Sequence, residues 1–448
     1  MKANSPNSGS IVKMLGRIPL CKLSKVSGFC KRKPKKITPK EFILGFFLML
    51  SCPGIHSFEQ WANKIGQLRN KLISKQALWK RMQPQVLLFL QMVLAHVITD
   101  SMRKVFEFTD SKKVKLFKNI ILEDATHIQV NDNLADDYPG NAASNHKTKK
   151  AVLKLQVCYN LTKAKFERFH ITNFRKNDQS YSEEIFDIVK SGDLLIRDLG
   201  YYVLSVFQNL QNMGVSYISR FRIKTNVYLH KDDDKPIDLT KMLSKRGSLD
   251  ISVFLGVKDR LPVRLVALPV EESVASERRR RARLDQNKRN EMAKDKLFLL
   301  GWELFITNIE KEKLTASDIA AFYFLRWRIE IIFKCWKSCM KVEQVPIGCN
   351  KIRLEAYIYC VLIFVILLQV NTYRYYVEIK TQQKAKNIGG YISLMKFTKF
   401  FADNINNIIL QDYPQNSRSQ RLLEKRIIYY CRYDVRTDRL NFQQRCLI

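Results

Sequence analysis

The spacing of apolar residues changes near residue 115, and this change restricts the chain to a mixed fold. Residues 41–105 carry apolar residues at helical spacing, as in EFILGFFLMLS and SFEQWANKIGQ. From residue 118 the runs become rich in β-branched and aromatic residues and partly alternate, as in KNIILEDATHIQV and KAVLKLQVCYNLT. Strand-like and helix-like runs then follow each other up to about residue 225. The sequence therefore predicts an α/β fold preceded by a helical region.

The helical region carries signs of a DNA-binding domain over residues 41–112. Ser57 and Ser74 stand where helix N-caps are expected, and Gln60 takes the capping-box position after Ser57. A short basic helix bears Gln, which favours a helix-turn-helix-like DNA binder; a plain helical bundle with a charged face is the alternative. Its candidate DNA contacts are Lys75, Gln76, Lys80 and Arg81. Residues 1–40 hold many Lys and Arg and no acidic residue, which predicts a basic flexible arm.

The net charge points to a polyanionic partner. The 448 residues carry a formal charge of +35, an excess that favours nucleic acid over an anionic membrane surface. No signal peptide is visible, and the longest apolar run, of about 14 residues, is shorter than the roughly 20 that a membrane span needs. The ten cysteines include no C-x-x-C pair, which argues against a zinc site. We expect a cytoplasmic protein of two or three domains that binds double-stranded DNA and no membrane.

Three carboxylates stand in contexts that suggest chemistry. Asp124 lies inside an apolar strand, Asp198 ends another, and Glu330 belongs to a polar stripe on a late helix. Each alone is more often a surface group or half of an ion pair, but the three could converge on one point. Converging carboxylates without His or Cys favour Mg²⁺, with Mn²⁺ as an expected substitute. Paired divalent ions suit in-line attack at phosphorus.

The late helix groups further polar residues beside that carboxylate. In the stretch AFYFLRWRIEIIFKCWKSCMK, the side chains of Tyr323, Arg326, Glu330 and Lys337 are spaced three, four and seven residues apart. On one continuous helix they would fall within an arc of roughly 60°. The arrangement would offer a single ligand a carboxylate, two cations and a phenol.

The pattern Y-x2-R-x3-E-x6-K resembles the signature of IS4-family DDE transposases of bacterial insertion sequences. The neighbouring RWRIEIIFK, and DATHI and DLGYY around the two aspartates, also resemble family motifs and follow the family's order. The resemblance covers roughly residues 40–370. It departs from the family at Ala125, where Gly or Ser is usual, and at Leu199, where the family often has a cation.

The resemblance implies a fold, a cofactor and roles for the site residues. It implies a ribonuclease-H-like catalytic core over residues 113–225 and 301–372, interrupted by a mainly β insertion over residues 226–300. Beyond the resemblance, the sequence predicts a helical and basic region over 373–448. Asp124, Asp198 and Glu330 would bind Mg²⁺, and Tyr323, Arg326 and Lys337 would contact DNA phosphates. A run of five arginines between Arg278 and Arg283 is either a solvated surface or a phosphate-contacting patch.

The leading hypothesis is a transposase that binds terminal inverted repeats, cleaves the ends of its element and transfers them to target DNA. Joining two ends implies a homodimer in the synaptic complex, and the substrate implies a nucleoid-associated bacterial protein. A catalytically inactive, transposase-derived DNA-binding protein is the alternative. A nuclease of the same fold, without strand transfer, is a third possibility.

Overall fold

A computed structural model describes residues 11–32, 34, 36–52, 54–101, 113–140, 150–163, 165–284, 294–339, 342–343, 345–346, 348–373, 392–410 and 417–432. The strands are β1 Ile120–Val130, β2 Ala151–Asn160, β3 Lys165–Asn173, β4 Leu194–Arg197, β5 Ser216–Arg220, β6 Val227–Tyr228, β7 Leu249–Leu255, β8 Leu261–Pro269 and β9 Trp302–Thr307. The helices are α1 Ile11–Arg17, α2 Leu20–Val26, α3 Pro39–Met49, α4 Phe58–Arg69, α5 Lys75–Trp79, α6 Pro84–Ser101, α7 Asp178–Tyr181, α8 Leu204–Asn212, α9 Leu239–Arg246, α10 Glu272–Leu284, α11 Lys294–Leu299, α12 Ala316–Phe324, α13 Trp327–Ser338, α14 Lys351–Val365, α15 Leu394–Leu410 and α16 Ser417–Tyr430.

All nine strands belong to one mixed sheet, in the order β3-β2-β1-β4-β5-β9-β8-β7-β6. β1, β4 and β5 run parallel to one another, and every other neighbouring pair is antiparallel. Ile120 and Leu122 point into one hydrophobic core, whereas Ile121 points into the second core on the opposite face. Burial on both faces explains why β1 reads as a nearly continuous apolar run. The predicted α/β class is confirmed as a large mixed sheet with helices.

The register of the two central strands brings the predicted aspartates together. Glu123 of β1 lies opposite Arg197 of the parallel strand β4. Asp124 is the next residue of β1 and Asp198 directly follows the end of β4, so both residues stand at the same level of the sheet. A topology of parallel neighbours at the centre of a sheet commonly carries ligand sites at such strand ends.

The N-terminal helices share their hydrophobic core with a helix from the far end of the chain. The rings of Phe46 and Tyr357 are 5.1 Å apart, and those of Phe47 and Phe364 are 4.8 Å apart. The Nδ1 atom of His56 lies 2.7 Å from the hydroxyl of Tyr357. Helices α3, α6 and α14 therefore belong to one core, and the predicted boundary at residue 112 does not divide that core.

The prediction of a flexible basic arm is wrong for residues 11–26. Helices α1 and α2 occupy this segment, and Ile11 and Leu15 are fully buried in the main core. Ile11, Met14, Leu15 and Ile18 have the i, i+3, i+4, i+7 spacing of an amphipathic helix, which the many cations around them obscured. Residues 1–10 lie outside the described part of the chain, as do Lys33 and Lys35 of the KRKPKK run.

The predicted caps of the helical region are present. Ser57 accepts a hydrogen bond from the Gln60 backbone amide, and the Gln60 side chain accepts one from the Ser57 amide, which completes a capping box on α4. Ser74 caps α5 by accepting from the amide of Ala77. Each of these contacts joins residues three positions apart, and the sequence alone could therefore predict them.

The segment predicted as a mainly β insertion is mixed. Strands β6 to β8 extend the main sheet through β9, but α9, α10 and α11 lie in the same segment. The arginine run belongs to α10, where Glu277 pairs with Arg280 and Arg281 one turn away. Such i, i+3 and i, i+4 pairs support a helix in a sequence that carries little apolar surface.

One segment, Lys351–Gln369, is long and apolar enough to cross a membrane by length and composition, with a mean hydropathy of 1.9. It comprises α14 and the start of a π-helical turn, Ile366–Tyr373, and 78% of it is buried inside the protein. This burial is typical of the central helix of a folded core. Farther along, α15 packs against α13, with Cys339 Sγ lying 3.8 Å from the carbonyl oxygen of Met395.

Candidate active site

Asp124 is the innermost carboxylate of the site. Its Oδ1 accepts a hydrogen bond of 2.8 Å from the amide of Ala125, and its Oδ2 lies 3.0 Å from Arg326 Nη1. Burial raises the pKa of Asp124 to about 7; Arg326 opposes the rise, and the negative charges of Asp198 and Glu330 add to it. The group would ionise fully at neutral pH only with more positive charge nearby.

Asp198 is presented by a tight turn directly after β4. Its Oδ2 accepts from the amide of Gly200 at 3.4 Å, and its Oδ1 lies 3.8 Å from Arg326 Nη1. A Cβ atom at Gly200 would come within 2.8 Å of Asp178 Oδ2. Asp178 is itself held by Lys154 and Gln156, at 3.1 and 3.0 Å. Glycine is therefore the residue that allows this close approach beside Asp198.

Glu330 completes the group from the first turn of α13. Its Oε1 lies 2.6 Å from Nη1 of Arg326, the same nitrogen that contacts both aspartates. Arg326 is 8% exposed. Burial lowers the pKa of this guanidinium, but Tyr323 and the carboxylates raise it by more, so it stays charged. Three carboxylates from β1, the β4 turn and α13 thus meet at one cationic nitrogen.

The polar stretch from Tyr323 to Lys337 is not one uninterrupted helix. Helix α12 ends at Phe324 and α13 begins at Trp327, with a turn at Leu325 and Arg326 between them. The turn still keeps Arg326 and Glu330 in contact. Lys337 lies near the other end of α13, where its nearest described carboxylate is Glu343, at 3.8 Å. The structure brings together Arg326 and Glu330, but it leaves Lys337 apart from the three carboxylates.

Tyr323 is buried beside the site. Its ring packs on Phe305, and the guanidinium carbons of Arg220 and Arg326 each lie 5.6 Å from the ring centroid. Burial raises the pKa of Tyr323 to about 12, although Arg326 and Arg220 oppose the rise. The hydroxyl is buried and has no hydrogen bond of ordinary geometry within the described residues. Tyr323 can reach a ligand only if the side chains that cover it move.

Residues 115–364 match the family described as Transposase DDE domain, which is more than half of the chain. The chain belongs to this family. It is 28% identical over 374 residues to the transposase for insertion sequence element IS231D of Bacillus thuringiensis subsp. finitimus, covering 79% of this chain and 77% of that relative. It is 26% identical over 354 residues to the transposase for IS231E of the same subspecies, covering 75% and 73%.

A relative from another genus agrees. The chain is 25% identical over 361 residues to the transposase for insertion sequence element IS1151 of Clostridium perfringens, covering 75% of this chain and 73% of that relative. The predicted family, a DDE transposase of an insertion sequence, is confirmed. The narrower resemblance to the IS4 group and its four-residue signature stays a prediction.

The donor set of this DDE domain suits a hard divalent ion. The carboxylates of Asp124, Asp198 and Glu330 offer only oxygen, the ligand that Mg²⁺ and Mn²⁺ prefer. As the side chains stand, no three His, Cys, Asp or Glu residues in the described ranges are arranged to share a metal ion. Arg326 Nη1 lies at the point where the three carboxylates meet, so a metal ion there requires this guanidinium to move.

The carboxylate next to Asp124 in the sequence belongs to a different cluster. Glu123 points to the opposite face of β1, where its Oε2 accepts a hydrogen bond of 2.9 Å from Arg197 Nε. Both side chains are almost fully buried. Burial raises the pKa of Glu123, and Arg197 opposes the rise. The cluster of Asp124, Asp198 and Glu330 thus contains one carboxylate of the pair Glu123 and Asp124, because neighbouring side chains of a strand point to opposite faces.

The predicted N-terminal DNA contacts lie on two separate surfaces. Lys80 and Arg81 line a cavity of about 540 Å³ together with Lys31 and Arg32, which precede α3. Lys75 and Gln76 line another depression, between α4 and α5. Arg81 also contacts the segment before α3, because its Nη1 lies 3.2 Å from Cys30 Sγ. The sequence did not predict that Lys80 and Arg81 lie in the same cavity as Lys31 and Arg32, since the latter two were assigned to a flexible arm.

Proposed function

We propose that this chain is the transposase of a bacterial insertion sequence, which binds the terminal inverted repeats, cleaves the ends of the element and transfers them to target DNA. The observation that carries the proposal is the convergence of Asp124, Asp198 and Glu330 in a chain of the DDE family. The formal charge of +35 supports a DNA partner. We place its activity in the bacterial cytoplasm, at the nucleoid.

The proposed catalytic core is ribonuclease-H-like. Its support is the strand order β3-β2-β1-β4-β5, with the first three strands antiparallel and β1, β4 and β5 parallel. The proposed insertion, residues 226–300, enters between β5 and β9 and lengthens the same sheet. The proposed helical DNA-binding domain covers residues 41–112, with Lys75, Gln76, Lys80 and Arg81 as contacts.

In the proposed mechanism, Asp124, Asp198 and Glu330 hold the divalent ions, with Mg²⁺ as the expected ion and Mn²⁺ as a substitute. When bound, the ions supply activation of the attacking water or 3′-hydroxyl and stabilisation of the leaving oxygen. Arg326 and Lys337 are proposed to donate charge-assisted hydrogen bonds to DNA phosphates near the cleavage site. Tyr323 is proposed as a further phosphate contact, reached once DNA displaces the groups that cover its hydroxyl.

Cleavage assays with the full chain test this proposal. Asp124→Ala, Asp198→Ala and Glu330→Ala should each abolish Mg²⁺-dependent cleavage of a duplex that carries the element's end, while binding to that duplex persists. Asp193, which the sequence places near the site but which bonds to Asn119 instead, provides the control: Asp193→Asn should retain cleavage. Full cleavage by Glu330→Ala would contradict the assignment.

Two further outcomes separate the rival functions. Binding of the end without any nicking in Mg²⁺ or Mn²⁺ would favour an inactive, transposase-derived DNA-binding protein. Cleavage without joined products would favour a nuclease. A synaptic homodimer is expected to appear when two ends are present, and light scattering of the complex would measure it.

A further inference from the structure

The Arg326 guanidinium has two possible sets of anionic partners, the three carboxylates and a DNA phosphate, and it cannot bind both sets at once. Its Nη1 lies 2.6 Å from Glu330 Oε1, 3.0 Å from Asp124 Oδ2 and 3.8 Å from Asp198 Oδ1. A hard divalent ion needs the same oxygens. Under the proposed function, the same guanidinium also binds a DNA phosphate. Metal binding, DNA binding and the position of one side chain are therefore linked.

We propose that Arg326 couples DNA binding to metal binding by exchanging the three carboxylates for a DNA phosphate. In the free protein the guanidinium bridges the carboxylates and competes with a metal ion for their oxygens. A phosphate that reaches the site draws the guanidinium away, and the oxygens of Asp124 and Glu330 become available to the ion. This coupling rests on the proposed function.

The hydrogen-bonding state of Arg326 favours such an exchange. One nitrogen contacts all three carboxylates, whereas the buried Nε makes no hydrogen bond of ordinary geometry with the described residues. A phosphate accepts two parallel N–H bonds from a guanidinium. The phosphate would therefore satisfy a donor that the carboxylates leave unused. Since arginine stays protonated throughout, the exchange moves a side chain and no proton.

The position of Arg326 in the chain also allows movement. The residue lies in the turn between α12 and α13, whereas Asp124 lies on a central strand and cannot move independently of the sheet. Glu330 lies one turn into α13. The mobile partner in this cluster is therefore the long side chain of Arg326, whose end can swing without a change in the sheet.

The coupling predicts a reciprocal effect on two affinities. If a phosphate frees the carboxylates, DNA must raise the affinity for the divalent ion by the factor by which the ion raises the affinity for DNA. Replacing Arg326 with a neutral residue removes the competitor. Such a variant should bind the ion more tightly than the wild type when DNA is absent, although it loses a phosphate contact.

The test is a titration of Mn²⁺, followed by the electron paramagnetic resonance signal of the free ion, on the full-length protein. It is performed alone and with a precleaved duplex that ends at the element's terminus, with the duplex by itself as a blank. For the wild type, the duplex should raise Mn²⁺ affinity roughly tenfold, within the range usual for coupled sites. Arg326→Gln should bind Mn²⁺ about fivefold or more tightly without DNA, and the duplex should add little.

Lys334→Gln is the matched control, because it removes the same charge from an exposed position of α13, whereas the ion pairs of the three carboxylates are made by Arg326. Its Mn²⁺ affinity without DNA should stay within about twofold of the wild type. An equal gain in Lys334→Gln and Arg326→Gln would show a general charge effect and overturn the specific competition. Weaker or unchanged Mn²⁺ binding by folded Arg326→Gln would overturn it as well.

The wild-type titration decides the matter even if Arg326→Gln fails to fold. Measurable Mn²⁺ binding that the duplex leaves unchanged overturns the coupling but leaves the proposed function intact. Absence of Mn²⁺ binding both with and without the duplex contradicts the proposed function itself. Circular dichroism of each variant establishes whether it is folded before its affinity is interpreted.

Discussion

Asp124 holds its carboxyl group in a strand that is buried on both faces, with two further carboxylates close by. The nearest compensating charge is Arg326, which also serves Asp198 and Glu330. One positive charge cannot balance three negative ones. Burial is the main cause of the raised pKa of Asp124, and the negative charges of Asp198 and Glu330 add to the rise. The ionised residue therefore destabilises the free protein near neutral pH.

Asp124→Asn should therefore stabilise the metal-free protein increasingly as pH rises. The folded-state pKa is about 7 and the ordinary value is 3.8. The folded protein thus binds the proton more tightly, and the wild type loses stability between about pH 4 and pH 7 relative to Asn. Urea unfolding at pH 5 and pH 8, without divalent ions, measures the difference, which we expect to grow to a few kcal/mol in favour of the variant.

Asp234→Asn is the control for this experiment. Asp234 is exposed, and its replacement should change stability by less than about 0.5 kcal/mol at either pH. A stability gain of Asp124→Asn that is equal at pH 5 and pH 8 would mean that ionisation of Asp124 does not act on the fold.

Among the elements, the turn after β4 determines where Asp198 stands. At Gly200 the turn passes close to Asp178, which Lys154 and Gln156 hold in place. The side chain of Asp198 also accepts the amide of Gly200, so the position of the carboxylate depends on the shape of the turn. A small change in the shape of the turn should therefore displace the Asp198 carboxylate.

Gly200→Ala should reduce both stability and cleavage. The added Cβ would meet Asp178 Oδ2 at 2.8 Å, and the strain should lower the free energy of unfolding by about 1–3 kcal/mol. Gly16→Ala is the matched control, because a Cβ there meets nothing within 4 Å. Thermal unfolding and the cleavage rate of both variants test the expectation; equal behaviour of the two would contradict it.

Helix α10 is less cationic in practice than its five arginines suggest. Arg280 and Arg281 both bind Glu277, Arg279 binds Glu272, and Arg278 binds Glu303. The Arg280 and Arg281 guanidinium groups lower the pKa of Glu277 to about 2, so this carboxylate stays ionised under all ordinary conditions. The arginines of α10 can bind DNA phosphates only if these ion pairs with carboxylates break. If the pairs persist, the helix is a solvated surface.

The Glu277→Gln variant tests whether α10 contacts DNA phosphates or is a solvated surface. If α10 contacts DNA, freeing Arg280 and Arg281 should strengthen binding and steepen the dependence of log K on log salt by about one to two phosphate equivalents. Electrophoretic mobility shifts over a range of salt concentrations measure both. Binding identical to that of the wild type would assign α10 to the solvated surface. Glu310→Gln, which removes an exposed carboxylate paired with Lys313, is the control.

At the scale of the whole molecule, the N-terminal helices and the catalytic region share one core. Phe47 from α3 is fully buried against Phe364 of α14, and Tyr357 of the same helix contacts both Phe46 and His56. Helices that are separated by some 300 residues in the chain therefore depend on each other. DNA held by the first region would be connected rigidly to the site of cleavage.

Phe47→Ala should destabilise the entire chain in a single transition. The loss of a large buried ring costs about 3–5 kcal/mol, and the shared core should spread the effect to both regions. Calorimetry should record one shifted unfolding peak. Leu72→Ala, at a fully exposed position, should leave the peak unchanged. Two peaks, of which only one moves, would show that the regions unfold separately.

The sequence predicted the local helix caps, and the three carboxylates that it singled out lie close together, whereas their role as metal ligands stays a prediction. The capping box of Ser57 and Gln60 depends on residues three apart, and Asp124 attracted attention because a carboxylate is rare in an apolar strand. The central position of Arg326 could not be predicted, since it requires β1, the β4 turn and α13 to meet in space. The turn at Leu325 was also missed, because its residues fit a continuous helical pattern.

The flexible arm predicted for residues 1–40 shows a limit of predicting structure from amino-acid composition. Composition placed this segment with flexible basic tails, although Ile11, Met14, Leu15 and Ile18 have helical spacing. Their burial depends on a surface supplied by helices much later in the chain. Apolar spacing was therefore the better guide here than charge.

The strand order has a practical consequence for labelling the protein in cells. Strands β4 and β1, which position the two aspartates, lie five and six places from the short outer strand β6 in the strand order. Between β6 and α9 the chain forms an exposed loop, in which residues 234–236 are exposed. A fluorescent protein or an affinity peptide inserted between Asp234 and Lys235 should therefore report the location of the enzyme without disturbing its chemistry.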